Sequence, residues 1–249
     1  MKVLSFSGGR TSAYMLANYD FDLAIFCNTG KEAEGTLDFV RKCSEYFEKN
    51  IIWIEYTTEN ISKFKVVNFE TASRKGQPFE QLIKKSKFLP NQQWRFCTVE
   101  MKAKTIKRYL KSIRVKISEV DMLLGIRKDE PQRFTKLTEN ERNGWSNIMP
   151  LYKDGITKSD VLQYWKQQPF DLNINSHEGN CDLCFLKGIG KKVKLLQDKP
   201  EIASWWIEME EIINGTFNKD FSVKNILERS KLQQEFDFDE SINCFCNID

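Results

Sequence analysis

Histidine is nearly absent from this chain of 249 residues, and the single one, His177, lies in a loop-like stretch just ahead of a cysteine motif. Its plainest reading is a surface residue, which leaves the chain without an obvious general base. Long hydrophobic runs are missing as well. The apolar stretch that opens at Met1 is far too short for a signal-peptide core, and no later window approaches a membrane span. This predicts a cytoplasmic protein without a membrane partner. An excess of one charge is also lacking: 38 Lys and Arg against 35 Asp and Glu leave a formal charge of +3. Such a balance requires neither a nucleic-acid backbone nor an anionic surface, so nucleic acid stays open only as an acceptor. A small anion held by a few local cations fits equally well. Internal repeats and low-complexity tracts are absent too. What remains is ordinary for a soluble globular protein, with 41% hydrophobic and 29% charged residues. The length suits one large α/β domain, or such a domain with a small appendage, and folding alone requires no disulfide or metal.

The order of apolar segments predicts the architecture. Met1 to Phe6 reads as a short buried strand, followed by a polar-glycine turn and a helix over about Ser12 to Asn18. Asp22 to Cys27 and Ile51 to Tyr56 read as further strands. Between them Leu37, Val40, Cys43 and Phe47 recur at helical spacing. Phe64 to Pro90 reads as a partly helical excursion, Thr98 to Ile113 as a basic helix, and Val120 to Gly125 as another strand. Thr157 is placed to cap a helix reaching Trp165, with Asp160 supporting its first turn. Beyond Asn173 strand signals fade, and helices starting near Lys191, Ile202 and Val223 are separated by Pro200 and Gly215. Alternating strands and helices imply right-handed crossovers. The predicted fold is therefore α/β, a mainly parallel open sheet with helices on both faces, plus a helical, cysteine-bearing C-terminal part. The expected division is an α/β unit over residues 1–172, carrying the strand-to-helix loops, and a helical region over 173–249 that packs on it.

Ser7-Gly8-Gly9-Arg10-Thr11-Ser12 carries the clearest chemistry. A strand that ends in a glycine pair and feeds a helix presents backbone N–H groups at the positive end of a helix dipole. Gly8 and Gly9 allow close approach to oxygens, Ser7, Thr11 and Ser12 add hydroxyls, and Arg10 can add charge. The position after the first strand is where open α/β sheets bind ligands. Neither the Walker spacing nor the dinucleotide fingerprint is present.

Four segments carry a family resemblance. The 7–12 loop resembles the pyrophosphate loop of the adenine-nucleotide alpha-hydrolase superfamily, usually S-G-G-x-D-S. Thr11 stands in place of the aspartate, as in the phosphoadenosine phosphosulfate (PAPS) reductase branch. Phe26-Cys27-Asn28-Thr29-Gly30-Lys31-Glu32 is similar to that branch's second-strand motif, which implies backbone contact with adenine around Asn28, Thr29 and Gly30. Arg95-Phe96-Cys97-Thr98-Val99-Glu100-Met101-Lys102 resembles its R-x-C-T-x-x-x-K segment. Gly125 to Arg133 resembles its G-x-R-x-x-E-x-x-R segment. By this fold reading Arg95, Lys102, Arg127 and Arg133 converge at the carboxyl edge of the sheet, where guanidinium groups bind phosphate or sulfate and Glu130 can orient one of them. Arg127, Arg133 and Lys102 are the candidates to act on the bound nucleotide, ATP or PAPS, with Mg²⁺ as a possible companion.

The seven cysteines divide into two kinds. Cys27 and Cys43 sit among apolar or helical residues, as small buried hydrophobes do. Cys181 and Cys184 form a C-x-x-C, Cys244 and Cys246 a C-x-C, and Cys97 lies in a basic run. The C-x-x-C spacing serves both zinc and iron–sulfur sites. The resemblance implies more: Cys97 matches an upstream cluster cysteine of the iron–sulfur sulfonucleotide reductases, while Phe96 replaces its neighbour. A four-thiolate site from Cys97, Cys181, Cys184 and one of Cys244 or Cys246 follows, holding [4Fe–4S] or, alternatively, zinc. The E-C-G-L-H nucleophile motif of PAPS reductases proper is absent. Three readings stay open: an ATP-activating enzyme passing sulfur to or from another protein or acceptor, a thiol-dependent sulfonucleotide reductase, and a nucleotide sensor without turnover.

Overall fold

The structure, a computed structural model, describes residues 1–138, 143–175, 177–179 and 181–232. Its frame begins with β1 (Lys2–Phe6), α1 (Arg10–Asn18), β2 (Leu23–Asn28), α2 (Glu34–Tyr46) and β3 (Ile51–Tyr56). Each of these strands is apolar on both sides, the pattern of strands covered on two faces. The chain then adds β4 (Phe64–Val67), α3 (Gln77–Ser86), α4 (Lys104–Ser112), β5 (Asp121–Leu123), α5 (Pro131–Thr138) and β6 (Ser146–Ile148). The six strands lie in the order β4-β3-β2-β1-β5-β6, and only β4 runs antiparallel to its neighbour. The predicted mainly parallel sheet is the one observed.

Alternation along the strands sorts the core into two faces. Leu4, Phe6, Ala24, Phe26 and Trp53 pack with residues of α1 and α2 on one side. The same side takes in α7 (Lys158–Lys166), which follows the short α6 (Pro150–Lys153). Val3, Ile25, Cys27, Ile54 and Met122 pack with Ile106 and Leu110 of α4 on the other. The predicted cap of α7 is present: Asp160 N–H donates to Thr157 Oγ1 and Thr157 N–H donates to Asp160 Oδ2. Two strands were not foreseen. β4 sits inside the stretch read as a helical excursion, and its Lys65 marks an edge strand while pairing with buried Glu55 at 3.1 Å. β6 is three residues long and offers too little pattern to read.

The helix expected over Thr98 to Ile113 opens as a π-helical turn, Thr98–Ala103, before α4. Lys104 N–H reaches back to the Val99 carbonyl, the wider repeat of such turns. Then α8 (Ile189–Asp198), α9 (Ala203–Ile213) and α10 (Val223–Leu232) build the C-terminal part. Their apolar faces share a third core with Tyr56 at the end of β3, with Phe79 and Leu82 of α3, and with Met101 of the π turn. The adjacent tryptophans divide as core and margin: Trp206 is fully buried, Trp205 partly so. No helix among the described residues is long and apolar enough to cross a membrane.

Candidate functional site

The chain leaves β1 toward β2 and β3 on one side and later returns to β5 and β6 on the other. The crevice between the carboxyl ends of β1 and β5 is therefore the topological switch point, where open α/β sheets place ligands. Ser7 to Gly9 lies at one lip and Gly125 to Arg127 at the other.

The first lip is built by contacts that leave no room for a side chain. Gly8 has φ +83°, and a Cβ there would fall 2.7 Å from Thr36 Cγ2 and 3.2 Å from Phe26 Cε2. Ser12 Oγ ties the loop by accepting from Ser7 N–H at 3.1 Å and donating to the Gly9 carbonyl at 2.9 Å. Gly9 then starts α1 with no side-chain cap, and the first turn of that helix carries no acidic residue. A helix opened in this way offers its backbone donors and positive dipole end to an anion.

Arg10 does not add its charge to that loop. Its Nε and Nη2 donate to the two carboxylate oxygens of Asp171 at 2.7 and 2.9 Å, and Nη2 also donates to the Leu172 carbonyl. Trp165 Nε1 donates to the Arg10 carbonyl, so this residue fastens α1 to the segment after α7.

From the second lip, Arg127 Nη1 donates to Thr11 Oγ1 at 3.0 Å, joining two of the expected segments. Asp129 faces the same guanidinium at 3.2 Å, and Glu130 accepts from the Arg127 backbone N–H at 3.1 Å. Glu130 also pairs with Arg133 through Nη1. Burial alone would raise the Asp129 carboxyl, but the hydrogen bond and charge of Arg127 outweigh it and hold the group below its usual range. Gly125 permits the approach: a Cβ there would stand 3.2 Å from Thr11 Cγ2.

The end of β2 carries a second polar knot. Asn28, wholly buried, donates to Glu55 Oε1 at 2.6 Å and to the Ser73 carbonyl, and accepts from Gly30 N–H. Its side chain thus shapes the turn and anchors the Ser73 segment over the strand ends. Thr29 donates through its hydroxyl to Glu32 Oε1 and through its backbone to Glu32 Oε2. Lys31, also buried, pairs with Asp182 at 2.9 Å, and Trp206 Nε1 donates to the same carboxylate.

The cysteine segment meets the sheet at this knot. Glu32 bridges Cys181 in antiparallel fashion, and Thr29 Oγ1 lies 3.3 Å from Cys181 Sγ. Lost hydration pushes the Cys181 thiol well above its ordinary value, with Glu32 reinforcing and Lys102 opposing. Glu32 is itself raised by burial, against the charge of Lys102 and the Thr29 donors. Cys27 is pushed up to about 12 by burial, and its thiol donates to the Lys102 carbonyl at 3.9 Å. Cys97, Cys181 and Cys184 all border the third core. Among the described residues, no group of three or more His, Cys, Asp or Glu gathers as a metal site. Cys244 and Cys246 lie outside the described residues. His177, expected at the surface, is instead largely covered, its side chain 13% exposed and its Nε2 3.0 Å from Asp198 Oδ2.

Sequence reasoning missed Asp129, Glu55, Asp171 and Asp182 as partners of the expected residues. Glu32 had a readable signal, the Thr-x-x-Glu spacing of a reciprocal cap, used here in a turn rather than at a helix start.

Comparison with known proteins agrees with this geometry. Over 235 residues the chain is 28% identical to an uncharacterized nin region protein of Escherichia phage lambda, covering 88% of this chain and 77% of that one. It is 29% identical over 155 residues to an uncharacterized protein of Methanocaldococcus jannaschii, 59% of this chain but only 32% of the archaeal one. The profile described as the phosphoadenosine phosphosulfate reductase domain matches residues 2–175, which hold the whole sheet and both lips of the crevice, and the chain belongs to that family.

Proposed function

We propose that this protein binds an adenine nucleotide with its phosphate or sulfate end in the Ser7–Ser12 loop and activates it, as an ATP-using enzyme that releases pyrophosphate and leaves an adenylated acceptor. One observation carries the reading. At the switch point an uncapped, acid-free helix start lies next to a buried arginine, and Thr11 is hydrogen-bonded to that arginine. Arg127 and Arg133 then supply positive charge where negative charge develops, Glu130 fixes their orientation, and Lys102 adds a cation from the π turn. Asn28, Thr29 and Gly30 form the wall for adenine, with Mg²⁺ accompanying a triphosphate.

Cys97, Cys181, Cys184 and one of Cys244 or Cys246 are assigned to a four-thiolate site on the family resemblance, supported by the proximity of Cys97 to Cys181, although no three such groups gather among the described residues. Such a site supplies thiolate-bound iron–sulfur or zinc beside the nucleotide. Iron, sulfide and zinc content of protein purified without oxygen tests it, with about four irons expected for a cubane cluster. Finding neither metal overturns the shared site.

Calorimetric titration with ATP and with PAPS, followed by product analysis with Mg²⁺, tests the nucleotide reading. AMP and pyrophosphate are expected. Sulfite released with thioredoxin as reductant would move the protein to the reductase reading, and tight binding without product would make it a sensor.

A further inference from the structure

The stretch from Lys84 to Val99 combines local positive charge with exposed aromatic rings. It contains Lys84, Lys85, Lys87 and Arg95 and no acidic residue. Between these cations stand Phe88, 41% exposed, and Trp94, 62% exposed. Their rings meet at 5.3 Å, and Phe96 lies 6.4 and 6.3 Å from the two. Exposed tryptophan and phenylalanine packed on each other form an apolar patch of the kind that marks an interaction surface. The platform is held from beneath by Leu89 and Phe96, which belong to the third core, so it is fixed rather than loose. Lys87 sits in a left-handed helix end with φ +53°, directly before Phe88.

We infer that this surface binds single-stranded nucleic acid, with bases stacking on Trp94 and Phe88 and the phosphates running along Lys85, Lys87 and Arg95. Aromatic faces interleaved with cations are the arrangement that holds single strands without sequence preference. Duplexes bury their base faces and cannot use the rings. The chain's small net charge does not oppose this, because the positive charge is local. The platform continues without a break into Cys97, whose neighbour Cys181 stands beside Thr29 at the end of β2. A strand on the rings is therefore led toward the end of β2. The inference stands whether or not the crevice takes a nucleotide.

Fluorescence anisotropy of the full chain with labelled oligo(dT), oligo(U) and a duplex of equal length provides the test. Single strands bind more tightly than the duplex, and the two single-strand arms separate DNA from RNA. Trp94→Ala weakens single-strand binding about five- to 150-fold, the span of one lost base–aromatic stack. Trp94→Phe, which keeps a ring, restores most of it and controls for misfolding. Lys85→Gln and Lys87→Gln each flatten the slope of log affinity against log salt by about 0.7. Equal binding of duplex and single strand, or unchanged affinity in Trp94→Ala, overturns the inference. So does a Trp94 already shielded from acrylamide in the free protein, which would mean that the chain itself covers the rings.

Discussion

Arg127, after the last residue of β5, and Lys192, in the first turn of α8, are sealed from solvent to the same degree, at 3% and 4% exposure, but they are held in opposite ways. Arg127 meets Asp129, Glu130 and Thr11 and lies in the crevice where the strand order reverses. Lys192 donates to the Phe185 carbonyl at 3.5 Å and lines a small cavity with Glu210, Leu183 and Phe217. Glu210 accepts from the backbone N–H groups of Phe217 and Val223 rather than from the lysine. Arg127 at the sheet edge is thus buried with opposite charge arranged around it, whereas Lys192 in the helical part is buried mainly by apolar packing. Breaking a well-paired buried ion and removing a poorly paired one have effects of opposite sign.

The largest expected effect follows from the paired site. Arg127→Met takes the guanidinium away from Asp129 and Thr11, leaves Glu130 with Arg133 alone, and lowers stability by about 3 kcal/mol, read as a drop in urea midpoint and melting temperature. Nucleotide affinity is lost as well. The pH dependence sharpens the test. Asp129 is held below its ordinary value, so its contribution is complete above the unfolded pKa of about 4 and fades as pH falls through the lowered folded value. The variant lacks that acid-side loss. An Arg127→Met protein with wild-type melting and wild-type acid response would erase the contrast between the two regions.

Next comes the loop that the arginine faces. Gly8→Ala meets both a left-handed φ and a Cβ 2.7 Å from Thr36 Cγ2, and is expected to destabilise by about 1–3 kcal/mol while weakening nucleotide binding. Gly155 has nearly the same φ, +76°, with nothing within 4 Å of an added Cβ. Gly155→Ala therefore reports the backbone strain alone, about 1 kcal/mol. The difference between the two unfolding curves measures how tightly the crevice lip is packed. Equal losses would show the lip to be no tighter than an open turn.

This lip and its arginine were legible in the sequence because their determinants are local. An apolar run, two glycines and a hydroxyl cluster specify strand, turn and helix within about ten residues. The Gly125 to Arg133 segment carries its own Glu130 three residues from both arginines. What was not legible is pairing across the chain. Arg10 and Asp171 are 161 residues apart, and nothing near Arg10 indicates that its charge holds two elements together instead of facing a ligand. Lys31 and Asp182 likewise join the end of β2 to the C-x-x-C. β4 and β6 escaped because four and three residues carry no usable period, and the π turn because its first residues look like any helix. The roles of the cysteines depend in part on Cys244 and Cys246, outside the described residues.

The smallest expected effect is the most discriminating. Burial lowers the pKa of Lys192, with Cys184 and Glu210 acting the other way. Burial likewise raises Glu210, against its two backbone donors and the lysine. In the window between the lowered value and the unfolded pKa of about 10.4, the unfolded chain binds more protons at Lys192 than the folded one, so stability rises with pH there. Below that window the ammonium is present in both states and its desolvation opposes folding throughout. Lys192→Met fills the same volume with no charge to desolvate. The variant is expected to be unchanged or more stable at neutral pH, by up to about 1 kcal/mol, and to lose the rise on the alkaline side. Denaturant unfolding of both proteins at neutral pH and near pH 10 reads the two effects together. A loss comparable to that of Arg127→Met would mean that Lys192 is held by its neighbours as firmly as the crevice arginine, and the helical part would then have to be understood as a second site of paired charge.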